Sequence, residues 1–119
     1  MTGERDLART IARLVAFADA GADCLYAPGI AAPDDIAALV RAVHPKPVNV
    51  LIVQPSMTVQ GLAALGVRRV SVGGTLARTA WAGFMGAAKE IAEQGTFTAF
   101  AGAAKGAELN GLFGKQSEG

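Results

Sequence analysis

The stretch Val48-Asn-Val-Leu-Ile-Val53 constrains the fold more than any other part of this chain. It is almost continuously apolar and rich in β-branched residues, the pattern of a strand covered on both faces, as in parallel sheets. Parallel neighbours need crossover connections, and the sequence on either side supplies them. From Glu4 to Ala20, Leu7, Ile11, Leu14, Val15 and Ala18 recur at spacings of three and four, one face of a helix that Gly21 ends. Asp23 to Ala27 is a short buried strand closed by Pro28-Gly29. Pro33-Asp34-Asp35 starts a helix with Ile36, Leu39, Val40 and Val43 on its apolar side; this helix ends before His44-Pro45. Thr58 to Leu65 is a short helix ended by Gly66, Arg68 to Val72 a third strand, and Thr75 to Glu93 a long helix closed by Gly95. A last amphipathic helix is expected from Phe97 to Phe113, followed by a flexible tail over 115–119.

Helix and strand thus alternate in units of about 20 to 25 residues, the rhythm of parallel βα repeats with right-handed crossovers, and the class is α/β. Three parallel strands leave both edges of a sheet open, so the sheet is expected to be completed from outside residues 1–114. Hydrophobic residues make up 51 % of the 119 residues, enough for an ordered core.

Charge excludes several functions. The formal net charge is +1 and the only adjacent basic residues in the strand region are Arg68 and Arg69, so there is no footprint for a nucleic-acid backbone or an anionic membrane. Apolar runs fall well short of the roughly 20 residues that span a bilayer, and the first thirteen residues lack the apolar core of a signal peptide. The single cysteine, Cys24, lies in an apolar run and reads as an inert core thiol; with no possible internal disulfide, a cytoplasmic setting is expected.

The segments Ala20-Gly-Ala-Asp-Cys-Leu-Tyr-Ala-Pro-Gly29, Pro47-Val-Asn-Val-Leu51 and Leu65-Gly-Val-Arg-Arg-Val-Ser-Val-Gly-Gly74, in this order and at these intervals, resemble the phosphonomutase-like branch of the isocitrate lyase/phosphoenolpyruvate mutase superfamily. That resemblance implies the C-terminal part of a (βα)8 barrel, strands six to eight, with a terminal helix swapped between subunits. It further implies Mg2+ and chemistry on 2-oxo or 2-hydroxy acids: C–C bond cleavage, oxaloacetate decarboxylation or phosphonomutase rearrangement. The family's aspartate-rich metal site, its Lys-Cys-Gly catalytic loop and the arginine after strand five have no counterpart in this sequence. Catalysis by the isolated chain is therefore not expected.

In a barrel, function gathers at the C-terminal ends of the strands. Here those ends offer Tyr26 to Gly29, Gln54 to Ser56, and Ser71 to Thr75, none of them a carboxylate, histidine, lysine or cysteine. No catalytic residue and no metal ligand is assigned. Asp34 and Asp35 read as helix-capping residues, with a ligand role as the alternative. His44, the sole histidine, falls in an αβ loop on the opposite, stability face of a barrel and reads as structural. Asn49 is a polar amide within an apolar strand and must have partners, either inside the barrel or in a substrate. Ser71-Val-Gly73-Gly74-Thr75 is either a tight turn alone or a turn whose N–H groups, with Arg78 nearby, hold a phosphate or carboxylate oxygen. Asn49, Ser71, Gly73 and Gly74 are the candidate substrate contacts, and a small-molecule carboxylate the candidate ligand.

Two classes of function follow. One is an enzyme-derived chain whose counterpart, the N-terminal half of the barrel, supplies the metal and catalytic loop. The other is a non-enzymatic half-barrel that self-associates and serves as an assembly or small-molecule binding module; a phosphate-binding biosynthetic half-barrel rests on Gly73-Gly74 alone. In each case a homo-oligomer is expected, because apolar helix faces and strand edges remain uncovered.

Overall fold

The structure, a computed structural model, describes residues 6–114. Glu4 and Arg5, placed above at the start of the first helix, and the tail over 115–119 lie outside the described residues. The chain divides into two compact units, Met1–Gly74 and Thr75–Gly119.

The first unit runs α1 (Leu7–Asp19), β1 (Leu25–Tyr26), α2 (Pro33–Val43), β2 (Val48–Leu51), α3 (Val59–Ala64) and β3 (Arg69–Ser71). Asp6 caps α1, its Oδ1 accepting from Arg9 N–H at 3.0 Å. Beyond the C-terminus, Gly21 has φ 99°, Ala22 N–H reaches Phe17 O and Gly21 N–H reaches Ala18 O, both at 3.0 Å. This paired closure satisfies carbonyls the helix leaves open and turns the chain sharply into β1. The same device ends α3, with Gly66 at φ 90° and bonds from Gly66 to Ala63 and from Val67 to Leu62. Thr58 caps α3 through Gly61 N–H.

The expected aspartate cap on α2 is not formed. Its N-cap is Ala32, with no side-chain cap bond, and Pro33 occupies the first turn. Asp34 and Asp35 therefore sit inside the first turn, where their charge favours the positive end of the helix dipole without closing a cap.

The sheet is three-stranded and parallel, in order β1-β2-β3, as consecutive βα units require. Leu25 pairs with Val48 and Tyr26 with Asn49; Asn49, Val50 and Leu51 pair with Arg69, Val70 and Ser71. The strands are shorter than the apolar runs that announced them. Past Leu51 the ladder keeps one bond, Ile52 N–H to Ser71 O at 2.9 Å, and Val53 is already exposed. Leu14, Leu25, Ile36, Leu39, Val43, Val48, Val50, Leu62 and Val67 form the buried core, joining one face of the sheet to all three helices. Leu25, Val48 and Val50 are its contribution from the strands, and period-2 alternation sends their neighbours to the other face.

The second unit holds α4 (Thr75–Gln94), a 3-10 turn (Thr98–Gly102) and α5 (Gly106–Gly114), none with a buried residue. The continuous helix expected over 97–113 is instead two pieces, separated where Ala103 is extended at ψ 141°. Gly102 and Gly106 flank the break, each about 1 kcal/mol less favourable than alanine inside a helix. No helix among the described residues is long and apolar enough to cross a membrane.

Candidate functional site

The face of the sheet away from the helices carries the polar residues. Asn49 and Leu51 alternate with Val48 and Val50 on β2; Arg69 and Ser71 alternate with Val70 on β3. The register sets Arg69 beside Asn49 and Ser71 beside Leu51, so the three polar side chains converge. Asn49 is only 4 % exposed. Its Nδ2 donates to Ser71 Oγ at 3.0 Å, and its Oδ1 accepts from Arg69 Nε at 3.2 Å. A buried amide left unpaired costs about 1–3 kcal/mol, and these two bonds remove that penalty.

The cluster is not exhausted by its internal bonds. Among the described residues, the Ser71 hydroxyl hydrogen, the second Nδ2 hydrogen of Asn49 and the Nη groups of Arg69 have no acceptor, and Arg69 has no carboxylate within ion-pair distance. Each of these remaining functions is a donor, and one carries positive charge. The arrangement is suited to oxygen acceptors and unsuited to a cation. No three His, Cys, Asp or Glu side chains come together among the described residues, and Asn49 Oδ1 already faces a guanidinium. The residues present do not fit the Mg2+ that the family resemblance implies.

Gly73 follows β3 with φ 53°, a backbone state that L side chains rarely adopt, and its α-carbon lies against Leu51: an added Cβ would stand 3.6 Å from Leu51 Cδ1. Gly74 is the next residue of the same turn. In the second unit Arg78 Nη2 donates to Thr75 Oγ1 at 2.8 Å, which engages that arginine within its own helix turn.

The remaining candidates are placed apart from the cluster. His44 is exposed at the end of α2, ahead of the N-terminal end of β2. Cys24 stands just before β1 rather than within it and is half-buried, with a free thiol. Beyond the C-terminal end of β2, an open pocket of about 350 Å3 is lined by Pro33, Ile36, Gln54, Ser56 and Leu62, among others. Arg69 joins this cluster although it is not among the candidates drawn from the sequence; the signal for it is that Arg69 and Ser71 are two apart in a strand and must share a face.

The phosphoenolpyruvate phosphomutase family matches residues 1–92. A solved structure assigned as a lyase/mutase, from Burkholderia cenocepacia J2315, is 55 % identical with a TM-score of 0.85, over 93 % of this chain and 40 % of that one. A second from the same organism, assigned as a phosphonomutase, is 40 % identical with a TM-score of 0.66, over 75 % of this chain and 36 % of that one. The protein Rv1998c of Mycobacterium tuberculosis is 46 % identical over 68 residues, 57 % of this chain but 26 % of that protein. The chain thus spans well under half the length of the relatives it matches. Solved members of the wider phosphoenolpyruvate mutase/isocitrate lyase superfamily, a TIM-barrel group, share its fold. By its matched residues, its consecutive parallel βα units and its solved relatives, the chain belongs to the phosphoenolpyruvate phosphomutase family of the isocitrate lyase/phosphoenolpyruvate mutase superfamily.

Proposed function

We propose that the chain forms strands six to eight of a (βα)8 barrel in an enzyme acting on 2-oxo or 2-hydroxy acids, and that Asn49, Ser71 and the Gly73-Gly74 turn meet a carboxylate or phosphonate oxygen of the substrate. The observation that carries this reading is the pair of unused donors at Asn49 and Ser71, an amide hydrogen and a hydroxyl hydrogen backed by the Arg69 guanidinium, with no carboxylate beside them among the described residues. Such a set binds and orients an anion and has no group to abstract or return a proton. In this reading the divalent metal and the acid-base groups are held by parts of the family's barrel outside these βα units. The chain alone is then a binding surface without turnover, in a cytoplasmic, homo-oligomeric protein whose terminal helices exchange between subunits.

Oxalate, the smallest rigid dicarboxylate of this substrate class, is the direct probe. Titrated into 15N-labelled protein, it is expected to shift the Asn49 side-chain amide and the Ser71 and Gly73 backbone signals, with oxaloacetate lost no faster than in protein-free Mg2+ solution. Oxalate shifts confined to other residues would remove the site. Oxaloacetate loss above the protein-free rate that a chelator abolishes would show instead that these units bind metal themselves. The alternative, a non-enzymatic self-associating module, is favoured by the exposed Trp81, Phe84 and Phe113 of the second unit, and predicts association with no oxalate response.

A further inference from the structure

We infer that Arg69 is a positioning residue that fixes the Asn49 amide in one orientation and thereby leaves the Ser71 hydroxyl as a hydrogen-bond donor to the bound anion. The inference deepens the carboxylate-binding reading and rests on it for the identity of the ligand, but its first half concerns the protein alone.

The argument is one of donors and acceptors. An asparagine amide can sit in two orientations that differ by exchanging oxygen and nitrogen, and its neighbours decide between them. Arg69 Nε, 3.2 Å away, has only a hydrogen to offer. The atom facing it must therefore be Oδ1, which turns Nδ2 toward Ser71 Oγ at 3.0 Å. Nδ2 in turn has only hydrogens to offer, so Ser71 Oγ accepts and its own hydrogen points elsewhere. Among the described residues nothing takes that hydrogen. Without Arg69 the amide is free to flip, presenting Oδ1 to Ser71; the hydroxyl would then spend its hydrogen on Asn49 and offer an approaching carboxylate a lone pair.

Position along the strands separates the two roles. Ligands in parallel βα folds meet the C-terminal ends of strands, and Ser71 is the last residue of β3 whereas Arg69 is the first. Arg69, level with Asn49 in the register, thus lies farther from the ligand side than Ser71. Asn49, 4 % exposed, is the buried intermediate that transmits its effect.

The test uses the full chain, its side-chain amides 15N-labelled, with Arg69→Met and Arg69→Lys. In the parent protein the Asn49 Hδ2 pair should be sharp, with a nuclear Overhauser contact to Ser71 Hβ. Arg69→Met keeps a long apolar stem and no donor, so that contact should weaken or vanish and the pair broaden or double, while oxalate binding falls about ten- to hundredfold, the worth of one hydrogen bond to a charged group. Arg69→Lys restores a donor on a flexible stem and should recover part of both. Should Arg69→Met misfold, the Lys variant and the parent amide signals still decide the matter. An Asn49–Ser71 contact that persists in Arg69→Met with unchanged oxalate affinity overturns the inference. A locked amide that Arg69→Met releases, in a parent protein that binds no oxalate, upholds the role of Arg69 in orienting Asn49 and sinks the carboxylate reading alone.

Discussion

Thr98 gives Glu90 two hydrogen bonds at once, its backbone N–H at 2.7 Å and its hydroxyl at 2.6 Å, both to Oε1. Thr96 Oγ1 adds a third to the same oxygen at 2.6 Å, and Ala99 N–H reaches Oε2 at 2.9 Å. One carboxylate on α4 thereby collects the free N–H groups that begin the 3-10 turn and sets the direction in which the chain leaves the helix.

Glu90 should titrate far below its usual range. The hydroxyl bond from Thr96, then those from Thr98 and the backbone N–H groups of Ala99 and Thr98, lower its pKa from 4.5 to about 2. The sign follows from the folded state favouring the charged form: the clip is fully present above pH 4.5 and is lost as pH falls toward about 2. A 13C titration of the Glu90 side-chain carboxyl should place its midpoint near 2, and Glu90→Gln should loosen residues 96–99 at neutral pH while leaving the β2 and β3 amides unmoved. A midpoint near 4.5 would show that the four bonds do not persist in solution.

Gly66→Ala should destabilise the first unit more than Gly29→Ala does. Both glycines have positive φ, 90° and 84°, so alanine at either pays about 1–2 kcal/mol for the left-handed backbone. Only at Gly66 does the new Cβ also meet a neighbour, 2.8 Å from Val40 Cγ1, against open space at Gly29. Overpacking of that kind adds about 1–3 kcal/mol. Urea unfolding of the two variants and of Gly66→Ala with Val40→Ala measures the steric part, which the second substitution should largely return.

The order of elements was legible because the two periods differ so clearly: Ile36, Leu39 and Val43 recur at helical spacing, whereas Val48 to Val53 is apolar throughout. Helix ends were legible where a single residue decides them, as at Gly21, Gly66 and Thr58. The α2 cap was not, since Asp34 has the right chemistry two positions too late and Pro33 already fixes the first turn. Residues 97–113 carry phenylalanines and leucines at passable helical spacing, and nothing local shows that Glu90 holds Thr98 and Ala99 in a tighter turn. Asn49 announced itself as a polar residue in an apolar strand, but its partners lie 20 and 22 residues away and are set by the β2–β3 register, which no local pattern contains.

Asn49→Leu should cost about 1–3 kcal/mol despite filling a similar volume, because it removes two hydrogen bonds, to Arg69 Nε and Ser71 Oγ, each contributing about 0.5–1.5 kcal/mol. The paired change Asn49→Leu with Ser71→Ala should recover part of the loss, since removing both ends of a bond is milder than removing one. Thermal or urea unfolding of the four-protein cycle gives the coupling. Additive effects would mean that the two side chains do not interact in solution.

Association through the second unit is the remaining prediction. Trp81 is 62 % exposed and Phe84 65 %, and their rings pack edge to face with centroids 5.6 Å apart, so they present one apolar surface rather than two isolated side chains. Phe97 and Phe100 form a second ring pair at the same spacing in the 3-10 turn, and Phe113 of α5 is 81 % exposed. Clusters of this kind on soluble proteins mark contact surfaces. Sedimentation velocity should therefore show a dimer or larger species that dissociates on dilution. Trp81→Glu or Phe84→Glu would force a carboxylate into the contact and should shift the equilibrium toward monomer, as should truncation before Thr96. Lys89→Glu is the control: Lys89 lies 3.9 Å from Glu93 on an exposed side of the same helix, and the substitution changes charge by more than Trp81→Glu does without touching the apolar rings. If Lys89→Glu dissociates the protein as effectively as Trp81→Glu, association is governed by net charge and not by this surface. A monomer of 12.1 kDa at every concentration would end the proposal outright.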